Sequence, residues 1–270
     1  MKKKLLIAIL VVAIISVSVM AFAGCNKKVK VGFQTGTMGQ DYTEGFENLS
    51  PQYYGSAALA VQDMVNGRIS YVVTDIAPAK ALAAQEQYKD KIKVIDIALT
   101  DEVYCFAVRP GEDKLKEQLN EFMVKNSAKL LALQEAYIAG TNEVVKIDSG
   151  NRSARNALIV ATNAEFAPFE YLIGESYAGY DMEVIQMFCQ QYNYELIIDN
   201  MEFDSVVQSV SSKKAHVGAA ALTLTPERAE MVNFTNPYYS STQVVICLAD
   251  DTTFDDCKTV EDVENILKSM

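Results

Sequence analysis

The sequence is poor in the residues that hold metals and run acid–base chemistry, with a single histidine, His216, among 270 residues. His216 sits between Ala215 and Val217 at the start of a strand-like run. Without a neighbouring ligand or nucleophile it reads as structural rather than as a metal ligand or a base. The five cysteines follow no zinc or redox spacing. No cofactor loop, no nucleophile–base pair and no metal set is visible, so no cofactor is expected. Positive charge is also scarce: 24 Lys and Arg stand against 35 Asp and Glu, a net charge of −11. That balance argues against nucleic acid, whose phosphates require basic patches, and against binding to anionic lipid surfaces. What is plentiful is apolar side chain, 50% of the sequence, with no low-complexity tract, so a packed core is expected.

The N-terminus reads as a leader. Lys2, Lys3 and Lys4 precede an uncharged run from 5 to 24 that ends in Ala23-Gly24-Cys25. A basic start, an apolar stretch and small residues before the cut describe a secretory signal. The cysteine placed there is suited to lipidation, although Phe22 stands where such signals usually carry Leu. An uncleaved membrane anchor is the alternative, and the apolar run is about long enough for it. Either reading places the remainder outside the cytoplasm. There a disulfide among Cys105, Cys247 and Cys257 is permitted and left open, while Cys189 falls on an apolar helix face as a small hydrophobe.

From residue 28 strand-like and helix-like segments alternate. Ala57, Ala60, Val61 and Met64 mark an amphipathic helix, Asn66-Gly67 stops it, and 69–74 reads as a buried strand ending at Asp75. A helix over 77–88, strands over 92–98 and 103–108 and a long helical region from 114 to about 137 follow. After the polar stretch 148–156 come strands at 158–162, 195–198, 217–222 and 243–248, interleaved with helices around 185–192 and 203–210. A short helix is expected over 259–270. Such alternation predicts α/β layers with mostly parallel sheets.

Chemistry concentrates in Leu222-Thr223-Leu224-Thr225-Pro226-Glu227-Arg228. Thr225 is placed to cap a helix that starts at Pro226, so backbone N–H groups, a hydroxyl and a guanidinium converge. That set suits a carboxylate, which arginine can grip with two parallel hydrogen bonds; an ordinary strand-to-helix turn with a surface arginine is the plainer alternative. Phe166 and Phe203 follow strands at an expected sheet edge, where open α/β sheets bind ligands. Asp75, ending a buried strand, needs a cation, supplied by a ligand ammonium or by a lysine.

The combination of 162–171 (TNAEFAPFEY), Gly179-Tyr180-Asp181, 224–228 (LTPER) and 234–239 (FTNPYY) resembles the first lobe of polar amino-acid substrate-binding proteins of ABC importers, the family-3 extracellular solute-binding proteins. Residues 31–111, through Gln34-Thr35-Gly36-Thr37, Asn66-Gly67-Arg68 and Thr74-Asp75, resemble their second lobe. The resemblance implies a two-lobed periplasmic-binding-protein-like fold of type II with a ligand cleft between lobes. The lobes stand in exchanged order, as in a circular permutant. The expected division is a lipoprotein signal over 1–25, lobe two over 28–102, a return segment over 103–147, a linker over 148–156, the main part of lobe one over 157–249, and over 250–270 a crossing with a short lobe-two helix.

By the same resemblance, Arg228 holds the ligand carboxylate with Thr223, the Ala221 backbone and Thr37, and Asp75 holds the ammonium. Phe166 and Phe203 pack on the side chain, with Asn163 and Gln34 near its end. The neutral Asn163 weakens a lysine or arginine assignment, which Glu165 leaves open. The implied protein is a monomeric binding lipoprotein, not an enzyme, that serves a membrane permease. Two other classes remain: a dehydratase of prephenate-like or arogenate-like acids using Glu165 or Asp75, and a ligand-sensing module.

Overall fold

The computed structural model describes residues 28–270, so the expected signal and the lipidated Cys25 lie outside the described residues. Among the described residues no helix is long and apolar enough to cross a membrane. Two five-stranded sheets form two lobes.

The lobe-two sheet runs in the order Ser50–Tyr54, Lys30–Gln34, Tyr71–Asp75, Gln243–Leu248, Ile92–Ile95. Its interior strands are continuous apolar runs, as strands covered on both faces must be. Successive side chains enter opposite layers. Val73, Val245 and Cys247 join Val31, Phe46 and Phe254, while Val72, Val244 and Ile246 meet Ala60, Val61 and Met64 of the helix Ala57–Val65. The C-terminal helix Val260–Ser269 begins with a capping box between Thr259 and Asp262, and lays Val263 and Leu267 into the first of these layers.

The lobe-one sheet runs Glu195–Asn200, Ala157–Thr162, Val217–Gly218, Ala107–Val108, Asn233–Phe234. The helices Asp113–Lys125, Ser127–Ala139 and Tyr180–Tyr192 cover one face, through Leu119, Phe122, Leu130, Ile185 and Phe188. Helix Phe203–Ser211 covers the other through Val206, Val207 and Val210. The lobes are joined by two antiparallel crossings, Glu102–Tyr104 and Tyr239–Ser241, with Tyr104 opposite Tyr239 and Glu102 opposite Ser241.

Several expectations change. Both sheets are mixed rather than mostly parallel: Gln243–Leu248 runs antiparallel to both neighbours in lobe two, and Ala107–Val108 does so in lobe one. Each of these strands enters its sheet directly from a crossing, which sets its direction. The chain therefore returns to lobe two at Tyr239–Ser241, earlier than the expected boundary after 249. The helical region expected from 114 to about 137 is present as two helices, Asp113–Lys125 and Ser127–Ala139, separated at Asn126, whose side-chain amide donates to Phe122 O at 2.8 Å and competes with the helical ladder. The strand over 103–108 divides between crossing and sheet, and that over 217–222 ends at Gly218. An edge strand, Ser50–Tyr54, was not anticipated; Pro51 is tolerated because the strand has only one neighbour.

Candidate functional site between the lobes

The loop after Val217–Gly218 turns sharply, with Ala221 at φ +46°. Asp181 holds that turn by accepting the Ala221 N–H at 3.0 Å and the Tyr238 hydroxyl at 2.7 Å. The Ala221 N–H is thus spent inside lobe one rather than offered to the cleft. Burial raises the Asp181 pKa to about 7, and the two donors act in the opposite direction. Beyond the turn, Thr225 caps helix Pro226–Met231 as expected by accepting the Arg228 N–H at 3.2 Å.

That cap brings Arg228 over the Phe203 ring, with the guanidinium carbon 5.4 Å from the ring centroid. Its Nη1 donates to Thr223 O at 2.8 Å and its Nη2 to Gly36 O of lobe two at 2.9 Å. A guanidinium carries five N–H groups, so donors remain for a carboxylate. Burial lowers the Arg228 pKa, while Asp41, Glu102 and Asp75 favour its charge.

Asp75 ends the central strand of lobe two and is buried. No cation pairs with it among the described residues; it accepts hydrogen bonds from the Tyr104 and Ser241 hydroxyls, both on Oδ1. Burial raises its pKa and the nearby Glu102 adds to the rise, against Tyr104, Gln243 and Ser241. Glu102, also buried, accepts from Thr223 Oγ1 at 2.7 Å, Thr100 Oγ1 at 2.6 Å and Gln243 Nε2 at 3.0 Å. The Thr223 hydroxyl, expected to face a ligand carboxylate, has committed its one proton to Glu102.

The other expected residues divide between contact and packing. Gln34 Nε2 donates to Asn163 Oδ1 at 2.8 Å across the lobes and to Gly55 O at 2.9 Å. Asn163 Nδ2 donates to Met201 O at 2.8 Å. Thr37 is buried with its hydroxyl on Gln34 O at 2.7 Å, turned into lobe two. Phe166 is buried beside Phe169, at 6.3 Å between ring centroids, and walls a cavity of about 420 Å³ that opens between the lobes among Ala57, Pro78, Leu82 and Tyr171. Glu165 is exposed at the rim of that cavity.

Sequence reasoning missed Tyr104, Glu102, Ser241 and Gln243. No local pattern marks them, because they meet only when the two crossings pair and the returning strand places Gln243 opposite Asp75. The reading of His216 as structural agrees with its place: its Nδ1 accepts the Ile159 N–H at 2.9 Å. Cys105, Cys189, Cys247 and Cys257 are all free. Among the described residues no group of three or more His, Cys, Asp or Glu is placed to hold a metal.

A guanidinium on one lobe and a buried carboxylate on the other, in two lobes joined by two antiparallel crossings, agree with the resemblance read from the motifs. Residues 158–270 match the bacterial extracellular solute-binding proteins, family 3. The arginine-binding extracellular protein ArtP of Bacillus subtilis is 31% identical over 38% of this chain and 40% of its own length. The ABC transporter arginine-binding protein 1 of Escherichia coli is 30% identical over 48% of this chain and 49% of its own. The chain thus spans about half or less of the length of these relatives. Among solved structures, an ancestral arginine-binding protein bound to glutamine is 29% identical over 32% of this chain and 39% of its own, with a TM-score of 0.30.

Proposed function

We propose that the chain is an extracytoplasmic solute-binding protein that captures an amino acid between its lobes and presents it to the membrane permease of an ABC importer. The observation that carries this reading is the presence, on opposite lobes, of Arg228 with unspent donors and of the buried Asp75, which has no cation partner among the described residues. A ligand carboxylate completes the first, and its ammonium satisfies the second. In this reading Phe203, beneath the guanidinium, and Phe166, at the wall of a different cavity, come against the ligand side chain, and the Gln34–Asn163 amides meet its polar end. Thr37 and Ala221 act by shaping the backbone around the carboxylate rather than through the hydroxyl and N–H already spent.

Arginine is named for four of the matched relatives and histidine for two, so polar and basic amino acids lead the ligand set. The chain builds both sides of its own cleft, which fits a monomer with exchanged lobe order; the basic start, apolar run and Cys25 support a lipid anchor on the outer membrane face. Closure follows from contacts made to the ligand by both lobes, which shift the open–closed equilibrium.

Thermal-shift screening of the full chain against the standard amino acids tests the reading. At least one is expected to raise the melting midpoint, and Arg228→Ala to abolish that shift; a chain that responds to none overturns the reading. Light scattering that gives a dimer overturns the monomer.

A further inference from the structure

We propose that Glu102, on the first crossing strand, is a positioning residue that acts through Thr223 to reserve one corner of the cleft for a ligand ammonium. This rests on the reading of Arg228 and Asp75 as the grip on an amino acid.

The argument is one of proton counting. A hydroxyl has one proton to donate and two lone pairs, while an ionised carboxylate only accepts. Thr223 Oγ1, Thr100 Oγ1 and Gln243 Nε2 surround Glu102, and each has a proton to donate. Thr100 donates here as well: its oxygen accepts the Gln243 N–H at 2.9 Å, which leaves its own proton for Glu102. Gln243 is itself held in register opposite Asp75 as the first residue of strand Gln243–Leu248. Glu102 is therefore clamped from the hinge and lobe-two side by Thr100 and Gln243, and its Oε2 draws the Thr223 proton from lobe one.

The consequence falls on Thr223. With its proton consumed, its oxygen presents lone pairs alone, and its carbonyl is already occupied by Arg228 at 2.8 Å. Asp75 nearby is an acceptor as well. A ligand group with several N–H donors and a positive charge satisfies such a corner, whereas a keto oxygen at the same place meets lone pairs with lone pairs. A glutamine at 102 removes the constraint: its amide N–H can donate to Thr223, whose proton is then free to turn into the cleft against the ammonium.

The test is a double-mutant cycle by calorimetry on the full chain, with L-arginine and L-glutamine as probes. Glu102→Gln is expected to weaken binding of the better probe at least about tenfold, and to have less than about a twofold effect in a Thr223→Val background. The melting midpoint of the ligand-free protein is read in parallel, and Glu102→Ala is run through the same cycle should Glu102→Gln fail to fold. Additive losses, or unchanged affinity in Glu102→Gln, overturn the inference. If the unsubstituted chain binds no amino acid at all, the proposed function falls and this inference with it; additive losses remove only the role of Glu102.

Discussion

Gln34 and Asn163, 129 residues apart in sequence, share a buried hydrogen bond of 2.8 Å between Gln34 Nε2 and Asn163 Oδ1, and so tie lobe two to lobe one at the far end of the cleft from the hinge. Both residues were expected at the ligand's side-chain end. They join the lobes directly, and each amide is further fixed by a backbone carbonyl, Gly55 O for Gln34 and Met201 O for Asn163. A neutral hydrogen bond of this kind contributes about 1 kcal/mol. Asn163→Ala is therefore expected to favour the open arrangement by roughly fivefold, seen as a larger radius of gyration in solution scattering. No change in that radius counts against the bond as a closing contact.

Gly36 stands where Arg228 crosses to lobe two. It has φ +80°, and a Cβ there would lie 3.0 Å from the Asp204 Cβ of lobe one. Gly36→Ala thus combines backbone strain, about 1–2 kcal/mol, with a block to closure. Amino-acid affinity is expected to fall more than tenfold while the melting midpoint of the ligand-free protein falls by only a few degrees. Calorimetry beside a thermal melt separates the two; a midpoint that collapses together with affinity contradicts the prediction.

Arg228→Lys tests whether geometry or charge matters. Lysine keeps the charge but loses the planar fork, and it cannot donate to Thr223 O and Gly36 O together in the same way. Binding is expected to weaken about as much as in Arg228→Ala; recovery to within threefold of the original affinity speaks against a bidentate grip.

Three buried carboxyls make ligand-free stability depend on pH. Asp75, Glu170 and Asp181 all have raised pKa values, with burial the first cause in each, and Asp181 rises from 3.8 to about 7. Across this window the folded state holds more protons than the unfolded chain, so stability falls as pH rises. The melting midpoint is expected to decline from about pH 4 to about pH 8, one unit above the Asp181 pKa of about 7, where its ionisation nears completion. His216, whose pKa is lowered by burial, works in the opposite direction. The informative measurement is therefore the difference from Asp181→Asn, which should flatten the decline. An unchanged slope in that variant removes Asp181 from the explanation.

The C-terminal helix can be tested for its place in lobe two. Leu267 is buried among Val31, Phe46 and Phe254, so Leu267→Ala should cost about 2–5 kcal/mol. The expected result is a clear drop in denaturant midpoint, and a loss below 0.5 kcal/mol would mean the helix is not part of that core.

Much of this was legible before any fold was known. The apolar periodicity of 57–64 and the Thr225-Pro226 cap are local signals, and they became the helices Ala57–Val65 and Pro226–Met231 because local sterics and capping suffice to specify them. The misplacement of Gln243–Leu248 in lobe one has a different reason. An apolar run shows that a strand is buried but not which sheet buries it.

The same division holds for the site. The sequence by itself determined the composition of the proposed grip: Arg228 after a capped turn and Asp75 at the end of a strand buried on both faces. Only the tertiary structure decided which of their neighbours have protons left to donate. Thr223 and Ala221 each lost a donor to a partner distant in sequence, while Thr37 gave its own to Gln34 O three residues before it, and Glu102, Tyr104, Ser241 and Gln243 gained their places when the two crossings paired. Hydrogen bonds saturate, so what a residue can offer a ligand depends on what the fold has already taken from it.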